Sequence, residues 1–199
     1  MHVLNFLRIA AVAVLGVALA ACPPVTTKTP VGTTVKATTD SALTGIWRGV
    51  VGEGDTSSYF TFFPQDDGTI NVLVATPPSK NDKGGYGVFA VQSVTLGKRH
   101  FLNARETFDD GKPAKGSMAD HTFPIYYRYD DDGALMLYLI DETAAKTAVK
   151  TGKIAGTIEP GDYGDVVLTA PPGELDAFMG SPAGRALFTR PVAVLRKVK

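Results

Sequence analysis

From Leu43 onward, apolar and polar residues alternate with a period of two in several short runs. The alternation is clearest where Phe123, Ile125, Tyr127 and Tyr129 occupy one face and polar or smaller residues occupy the other. Because successive side chains of a strand point to opposite faces, such runs indicate half-buried strands. We predict seven strands: Gly45–Val51, Ser57–Phe63, Thr69–Ala75, Tyr86–Leu96, His100–Glu106, His121–Tyr129 and Leu135–Ile140.

Three Asp-Asp-Gly triplets, at 66–68, 109–111 and 131–133, separate these runs. The first and third lie between predicted strands, where Asp favours a turn and Gly accepts a positive φ, so we predict hairpin loops there. A calcium-binding interpretation of Asp130–Gly133 fails, because an EF-hand loop alternates its acidic ligands and ends in a glutamate. Strands joined by short loops predict an antiparallel meander that forms a barrel, with a two-layer sandwich as the alternative.

The last third of the chain changes to helical spacing of its apolar residues. We predict helices over Glu142–Lys150 and Glu174–Met179, a further turn capped by Ser181 and opened by Pro182, and strands at Val166–Thr169 and Val192–Leu195. The apolar helical residues are expected to cover the core, either along the barrel or as a plug at one end. The predicted fold class is therefore mainly β, with short C-terminal helices.

A short apolar run near the N-terminus has the layout of a secretion signal. The charged stretch Met1–Arg8 precedes 11 apolar or small residues, Ile9–Leu19. A helix that spans a bilayer needs roughly 20 residues, so this run is too short for one and suits a cleaved signal peptide over residues 1–21. Ala20 and Ala21 then precede Cys22, the only cysteine in the sequence.

The residues Leu19-Ala20-Ala21-Cys22 resemble the lipobox of bacterial lipoproteins. The resemblance implies cleavage before Cys22, attachment of diacylglycerol to its thiol and addition of a fatty acyl chain such as palmitate to the new N-terminus. Two or three acyl chains give stable membrane anchoring. In that family an Asp after the cysteine tends to retain the protein at the inner membrane, so Pro23 favours the outer membrane and its periplasmic face. The alternative is an ordinary signal peptide, with Cys22 incidental.

A polar segment follows the cysteine. Pro23–Ser41 contains seven Thr and three Pro among 19 residues and no aromatic residue. Such a composition buries little apolar surface, so we predict that residues 22–42 form a flexible tether that spans about 25 Å. Residues 43–199 are then predicted to form a single β-rich domain.

Composition and motifs argue against several classes of partner and catalytic site. Lys plus Arg and Asp plus Glu both number 20, so no net charge attracts nucleic acid, and one cysteine excludes a disulfide framework. Patterns such as Gly-x-Ser-x-Gly and His-Glu-x-x-His are absent. Ser117, Asp120 and His121 lie close in sequence, but a catalytic triad is defined in space. We predict a protein without enzymatic activity, cofactor, metal site or nucleic-acid partner.

Aromatic residues are concentrated in the predicted strands, where they either line a hydrophobic cup or fill an ordinary β core. Gly45-Ile46-Trp47 is similar to the Gly-x-Trp that opens the first strand of lipocalins and of the wider calycin group. The resemblance implies an eight- or ten-stranded cup of the kind that often binds small apolar ligands. It also implies that Trp47 packs across the barrel base and that a late arginine, Arg190 or Arg196, stacks on it.

The aromatic strands and the lipobox resemblance predict a membrane-anchored protein that binds a ligand. We predict ligand contacts from Trp47, Tyr127, Tyr129 and Arg128, although an Arg128 that faces water would have no such role. The expected partners are the membrane, through the Cys22 lipid, and an apolar small molecule or lipid inside the cup. The alternative is a protein-interaction or envelope-assembly module.

Overall fold

A computed structural model describes residues 24–33, 35, 37, 40–51, 56–80, 83–159 and 165–199. The strands are β1 (Thr26–Thr27), β2 (Gly45–Val51), β3 (Ser57–Pro64), β4 (Ile70–Thr76), β5 (Gly85–Leu96), β6 (Arg99–Asp109), β7 (Lys112–Pro113), β8 (Phe123–Tyr129), β9 (Leu135–Tyr138), β10 (Gly156–Ile158), β11 (Val166–Leu168) and β12 (Ala193–Lys197). The helices are a 3-10 helix (Ser41–Leu43), α1 (Ser117–Asp120), α2 (Glu142–Lys150), α3 (Pro172–Gly180) and α4 (Pro182–Arg185).

Eight of the described strands form a closed antiparallel barrel. Their order around the wall is β5-β4-β3-β2-β12-β9-β8-β6, and β6 pairs with β5 to complete the circle. Closure leaves these strands without a free edge, because every strand has a hydrogen-bonded neighbour on both sides. The prediction of a mainly β antiparallel barrel with short helices is confirmed.

Strand alternation separates an inner from an outer face. Phe60 and Phe62 point inward and are 7% and 2% exposed, whereas their neighbours Tyr59 and Phe63 are 37% and 50% exposed. The predicted inner face of β8 is also confirmed, since its residues belong to the same interior cluster. The barrel interior is therefore one hydrophobic core, built from every second residue of the wall strands.

The two ends of the barrel differ. At one end, here the closed end, β3–β4, β5–β6 and β8–β9 are joined by tight turns, two of them the predicted Asp-Asp-Gly hairpins with φ +82° at Gly68 and +77° at Gly133. The 3-10 helix lies at this end, and the Trp47 indole N–H donates to the Leu43 carbonyl at 2.8 Å. The other end, here the open end, carries the longer connections that lead to α1, α2 and β12.

A second core lies outside the barrel. Consecutive residues Phe101 and Leu102 are both buried, because Leu102 faces the interior while Phe101 packs under the helices and the small sheet β1-β11-β10. Arg99 joins the two layers: its guanidinium lies 4.5 Å from the Tyr126 ring centroid and donates to the Met179 carbonyl at 2.8 Å. The helices thus cover the side of the barrel, and the predicted plug at one end is wrong for them.

The segment before the barrel departs from the predicted tether. Val25 and Val31 are 2% and 0% exposed, and β1 pairs in parallel with β11. The Asn103 side chain bonds both the N–H and the carbonyl of Val31 at 2.8 Å, and the Gly32 N–H donates to Asp176 Oδ1 at 2.6 Å. The prediction of a flexible tether is wrong for residues 24–33, because two buried valines and the hydrogen bonds of Val31, Gly32 and β1 offset the cost of ordering them. Residues 1–23, and with them Cys22, lie outside the described residues.

A candidate ligand cavity in the barrel

The hydrophobic core of the barrel is not completely filled. A cavity of about 250 Å³ opens between its inward-facing side chains. The lining consists of Val51, Phe60, Phe62, Val72, Val74, Phe89, Val91, Leu102, Ala104, Phe123, Ile125, Leu137, Leu139, Arg190, Pro191, Val192 and Ala193. Among the described residues of this lining Arg190 is the one that carries a charge, so this part of the cavity wall is mainly apolar.

Small side chains at inward positions create the space. Ala104 lies opposite Val91 on one side and Phe123 on the other, and Ala193 lies between Val51 and Leu137 in register. A leucine or phenylalanine at these two places would extend into the centre, as the side chains around them do. Since protein interiors are otherwise packed close to crystal density, a void of this size is a specific feature of this interior.

The rim of the cavity is at the open end. Leu139, Pro191 and Val192 are half-buried there, and Arg190 is exposed. Glu106 follows Leu102 and Ala104 on the inner side of β6, and burial, reinforced by the nearby Asp109 charge, raises the pKa of its carboxyl. The described rim therefore combines half-buried apolar side chains with an arginine, and the partly desolvated Glu106 lies on the inner side of β6 toward the same end.

The closed end is sealed by a polar network around Asp40. Its Oδ2 accepts hydrogen bonds from the Tyr127 and Tyr129 hydroxyls, each at 3.0 Å, and its Oδ1 accepts one from the Ala42 N–H. The Ser93 hydroxyl lies 3.3 Å from that of Tyr127. Burial raises the pKa of both tyrosines, and the Asp40 charge raises it further, so both hydroxyls stay protonated donors at neutral pH.

Trp47 is buried at the closed end, and the cation over its ring is a lysine rather than an arginine. Lys197 Nζ lies 5.4 Å from the Trp47 ring centroid and donates to the Ala42 carbonyl at 3.0 Å. The residues are direct partners in the β12–β2 register. Neither implied arginine has this place: Arg190 is at the cavity rim, and Arg196 pairs with Arg48 on the outer face.

The four residues predicted to contact a ligand occupy other places. Trp47, Tyr127 and Tyr129 come together at the closed end. The Tyr129 ring centroid lies 6.2 Å from that of Trp47 and 6.2 Å from that of Tyr127. Arg128 faces outward, where its Nε donates to the Tyr138 hydroxyl at 3.1 Å. Ligand contacts from these four stay a prediction, and none of them is in the cavity lining.

The lining residues that sequence reasoning missed are mostly valines, leucines and alanines. The alternation that predicts the strands also predicts that these residues face inward. It does not indicate whether their side chains fill the interior or leave a cavity. The cavity depends on the small side chains of Ala104 and Ala193, which lie beside larger ones in the folded barrel.

Ser117, Asp120 and His121, which are close together in the sequence, lie at the open end of the barrel. Ser117 begins α1, His121 follows it, and among the described residues no hydrogen bond joins the Ser117, Asp120 and His121 side chains. His121 Nδ1 is buried without a hydrogen-bond partner in the described part of the chain. Across the same residues, no group of three or more His, Cys, Asp or Glu side chains is placed to hold a metal ion. No helix in the described ranges is both long and apolar enough to span a membrane.

In comparison with known proteins, no family model, no curated protein and no solved structure matches this chain.

Proposed function

We propose that this protein is a non-catalytic binding protein that holds an apolar small molecule or lipid inside its barrel. The observation that supports this proposal is the interior cavity of about 250 Å³, whose described lining residues are apolar apart from Arg190 at the rim. An engineered apolar cavity of about 150 Å³ stays dry and binds benzene, so a void of this size and chemistry favours an apolar occupant over water.

The expected affinity is modest. Each buried methylene contributes about 0.8 kcal/mol, so a chain that buries about ten methylenes gains about 8 kcal/mol. Association costs at least about 4 kcal/mol of translational and rotational freedom. The difference leaves at most about 4 kcal/mol, so we expect dissociation constants of about 1 mM or weaker for simple aliphatic ligands, and tighter binding for a ligand that also engages Arg190.

The binding proposal is tested by titrating an environment-sensitive fluorescent alkyl probe into the Cys22→Ala protein. Ala104→Leu and Ala193→Leu put added methylenes into the cavity, and each is expected to weaken probe binding at least tenfold. Ala75→Leu is the matched control, because Ala75 pairs with Tyr59 and Tyr86 on the outer face. Equal binding by all four proteins would show that the probe does not occupy the barrel.

The natural occupant is sought separately, by native mass spectrometry of the mature protein purified from its own host. A bound mass that is released by organic solvent, and that is absent from Ala104→Leu, is the expected result. A wild-type protein that carries no ligand and binds no probe would overturn the proposal.

We further propose that Cys22 is lipidated and anchors the protein at the periplasmic face of the outer membrane. The support is the Leu19-Ala20-Ala21-Cys22 sequence. Replacing Cys22 by Ala is expected to move the protein from the membrane fraction to the aqueous fraction. A variant that remained in the membrane fraction would contradict the anchor.

A second candidate function, docking of an envelope protein, is favoured by the outer wall of β12, β2 and β3. Ile46, Tyr59, Phe63, Val194 and Val198 are exposed there at 37–50%. This wall is on the side of the barrel away from the helices. A photo-crosslinking residue at position 63 should then capture one dominant envelope protein, whereas the same residue at position 131, in a hairpin loop at the closed end, should not.

A further inference from the structure

The N-terminal segment joins the fold at the open end of the barrel. The Thr27 N–H donates to the Thr122 carbonyl at 2.7 Å, the Thr122 N–H donates back at 3.2 Å, and the two hydroxyls are 2.9 Å apart. Thr122 directly precedes Phe123, which lines the cavity. Thr27 is thus attached beside the cavity.

The described residues after Thr27 lie successively closer to the closed end of the barrel. Val31 is held by Asn103 near the middle of β6, and Ala37 forms an isolated bridge with Val94 farther along. Asp40 then reaches Tyr127 and Tyr129 at the closed end. The direction of the segment is therefore set: its upstream end is at the open end of the barrel.

The distance from this attachment to Cys22 is short. Cys22 precedes Thr27 by five residues, and a chain extends at most ~3.3–3.6 Å per residue, so the two lie within about 18 Å of each other. Pro24 and Val25 are already buried against the fold, which leaves a single residue, Pro23, between them and the cysteine. An acyl chain on Cys22 would consequently be held close to the open end.

We infer that the open end of the barrel faces the membrane and that the cavity exchanges its occupant directly with the lipid leaflet. The inference rests on the proposed anchor and the proposed binding function. The described part of the rim suits this position, because Leu139, Pro191 and Val192 are half-buried apolar residues and Arg190 is an exposed cation beside them. The occupant is then a membrane-dissolved molecule with an apolar chain, taken up without crossing water.

The orientation is tested with two matched cysteine variants of the full-length lipidated protein in vesicles. Lys112→Cys is exposed in β7 at the open end, and Lys98→Cys is exposed in the β5–β6 turn at the closed end. Acylation protects the native thiol, so a bimane fluorophore labels only the introduced cysteine. Vesicles that contain brominated phosphatidylglycerol and phosphatidylcholine should quench the position-112 label at least threefold more than the position-98 label.

Equal quenching, or stronger quenching at position 98, would overturn the inference, as would a preparation in which mass spectrometry finds no acyl chain. The binding function is assessed apart from this, by alkyl-probe titration of the Cys22→Ala protein. If the Cys22→Ala protein binds no probe but the position-112 label is quenched more than the position-98 label, the cavity function is refuted and the orientation is supported. Probe binding with the reverse order refutes the orientation alone.

Discussion

At the residue scale, Asp40 makes more consequential contacts than its place in a Thr-rich stretch indicates. Its carboxylate caps the 3-10 helix and accepts hydrogen bonds from the Tyr127 and Tyr129 hydroxyls at the closed end of the barrel. Hydrogen bonds to a charged group contribute more than neutral ones, about 1.5–3 kcal/mol each. A single side chain therefore connects the N-terminal segment to the barrel base.

Replacing Asp40 by Ala is expected to lower the free energy of unfolding by about 2–3 kcal/mol, because two partly buried hydroxyls lose their acceptor. Urea denaturation followed by fluorescence gives the value. Asp131→Ala, in an exposed hairpin loop, is the control and should change stability by less than about 0.5 kcal/mol. A loss for Asp40→Ala no larger than the control would contradict the role of the network.

Glu106 gives a pH-dependent prediction. Its pKa is raised above 4.5 in the folded state by burial, so between 4.5 and that higher value the folded protein binds more protons than the unfolded chain. Stability contributed by this group is then lost as pH rises through the interval. Glu106→Gln should be more stable than the wild type at pH 7 and no more stable at pH 4.

Urea denaturation at the two pH values measures this difference. Glu159→Gln serves as the control, because Glu159 is exposed. A Glu106→Gln advantage that is the same at both pH values would show that packing, rather than ionisation, is responsible.

At the scale of elements, the sequence predicts strands and helices well where periodicity and caps are strong. The β2 and α2 bounds agree with the sequence, and Asp141 caps α2 by accepting the Ala144 N–H at 2.8 Å. The short strands β1, β7 and β10 have two or three residues each, too few to show a period. They exist because a partner strand is beside them.

The N-terminal segment offers a matched test of this dependence on tertiary contacts. Val31 is 0% exposed and Val35 is 38% exposed. Val31→Ala should cost about 2 kcal/mol through lost burial and a residual cavity, whereas Val35→Ala should be nearly neutral. Chemical denaturation of the two variants decides between a docked segment and a tether, which would make both substitutions neutral.

At the scale of the whole molecule, a barrel with an internal cavity has a stability that depends on its occupant. A ligand that binds only the folded state stabilises it by RT ln(1 + [L]/Kd), about 2.7 kcal/mol at a hundredfold excess over Kd. Thermal unfolding of the wild type should therefore shift upward by several degrees with saturating alkyl ligand. Ala104→Leu should shift less, and Ala75→Leu should shift as the wild type does; equal shifts in all three would place the ligand outside the cavity.

The sequence by itself determined the chain's periodic elements, its mainly β class and the position of the Leu-Ala-Ala-Cys motif, because each of these depends on neighbouring residues along the chain, and it left a barrel and a two-layer sandwich as alternatives. It also placed Trp47 in the first barrel strand. Only the tertiary structure decided that the eight strands close into a barrel, that Lys197 covers that ring, that Val31 and Asp40 fasten the N-terminal segment to the barrel, and that a cavity opens among the inward-facing side chains. Those outcomes depend on side chains far apart in sequence: Ala104 and Ala193 line one cavity because the closed wall brings their strands around the same interior.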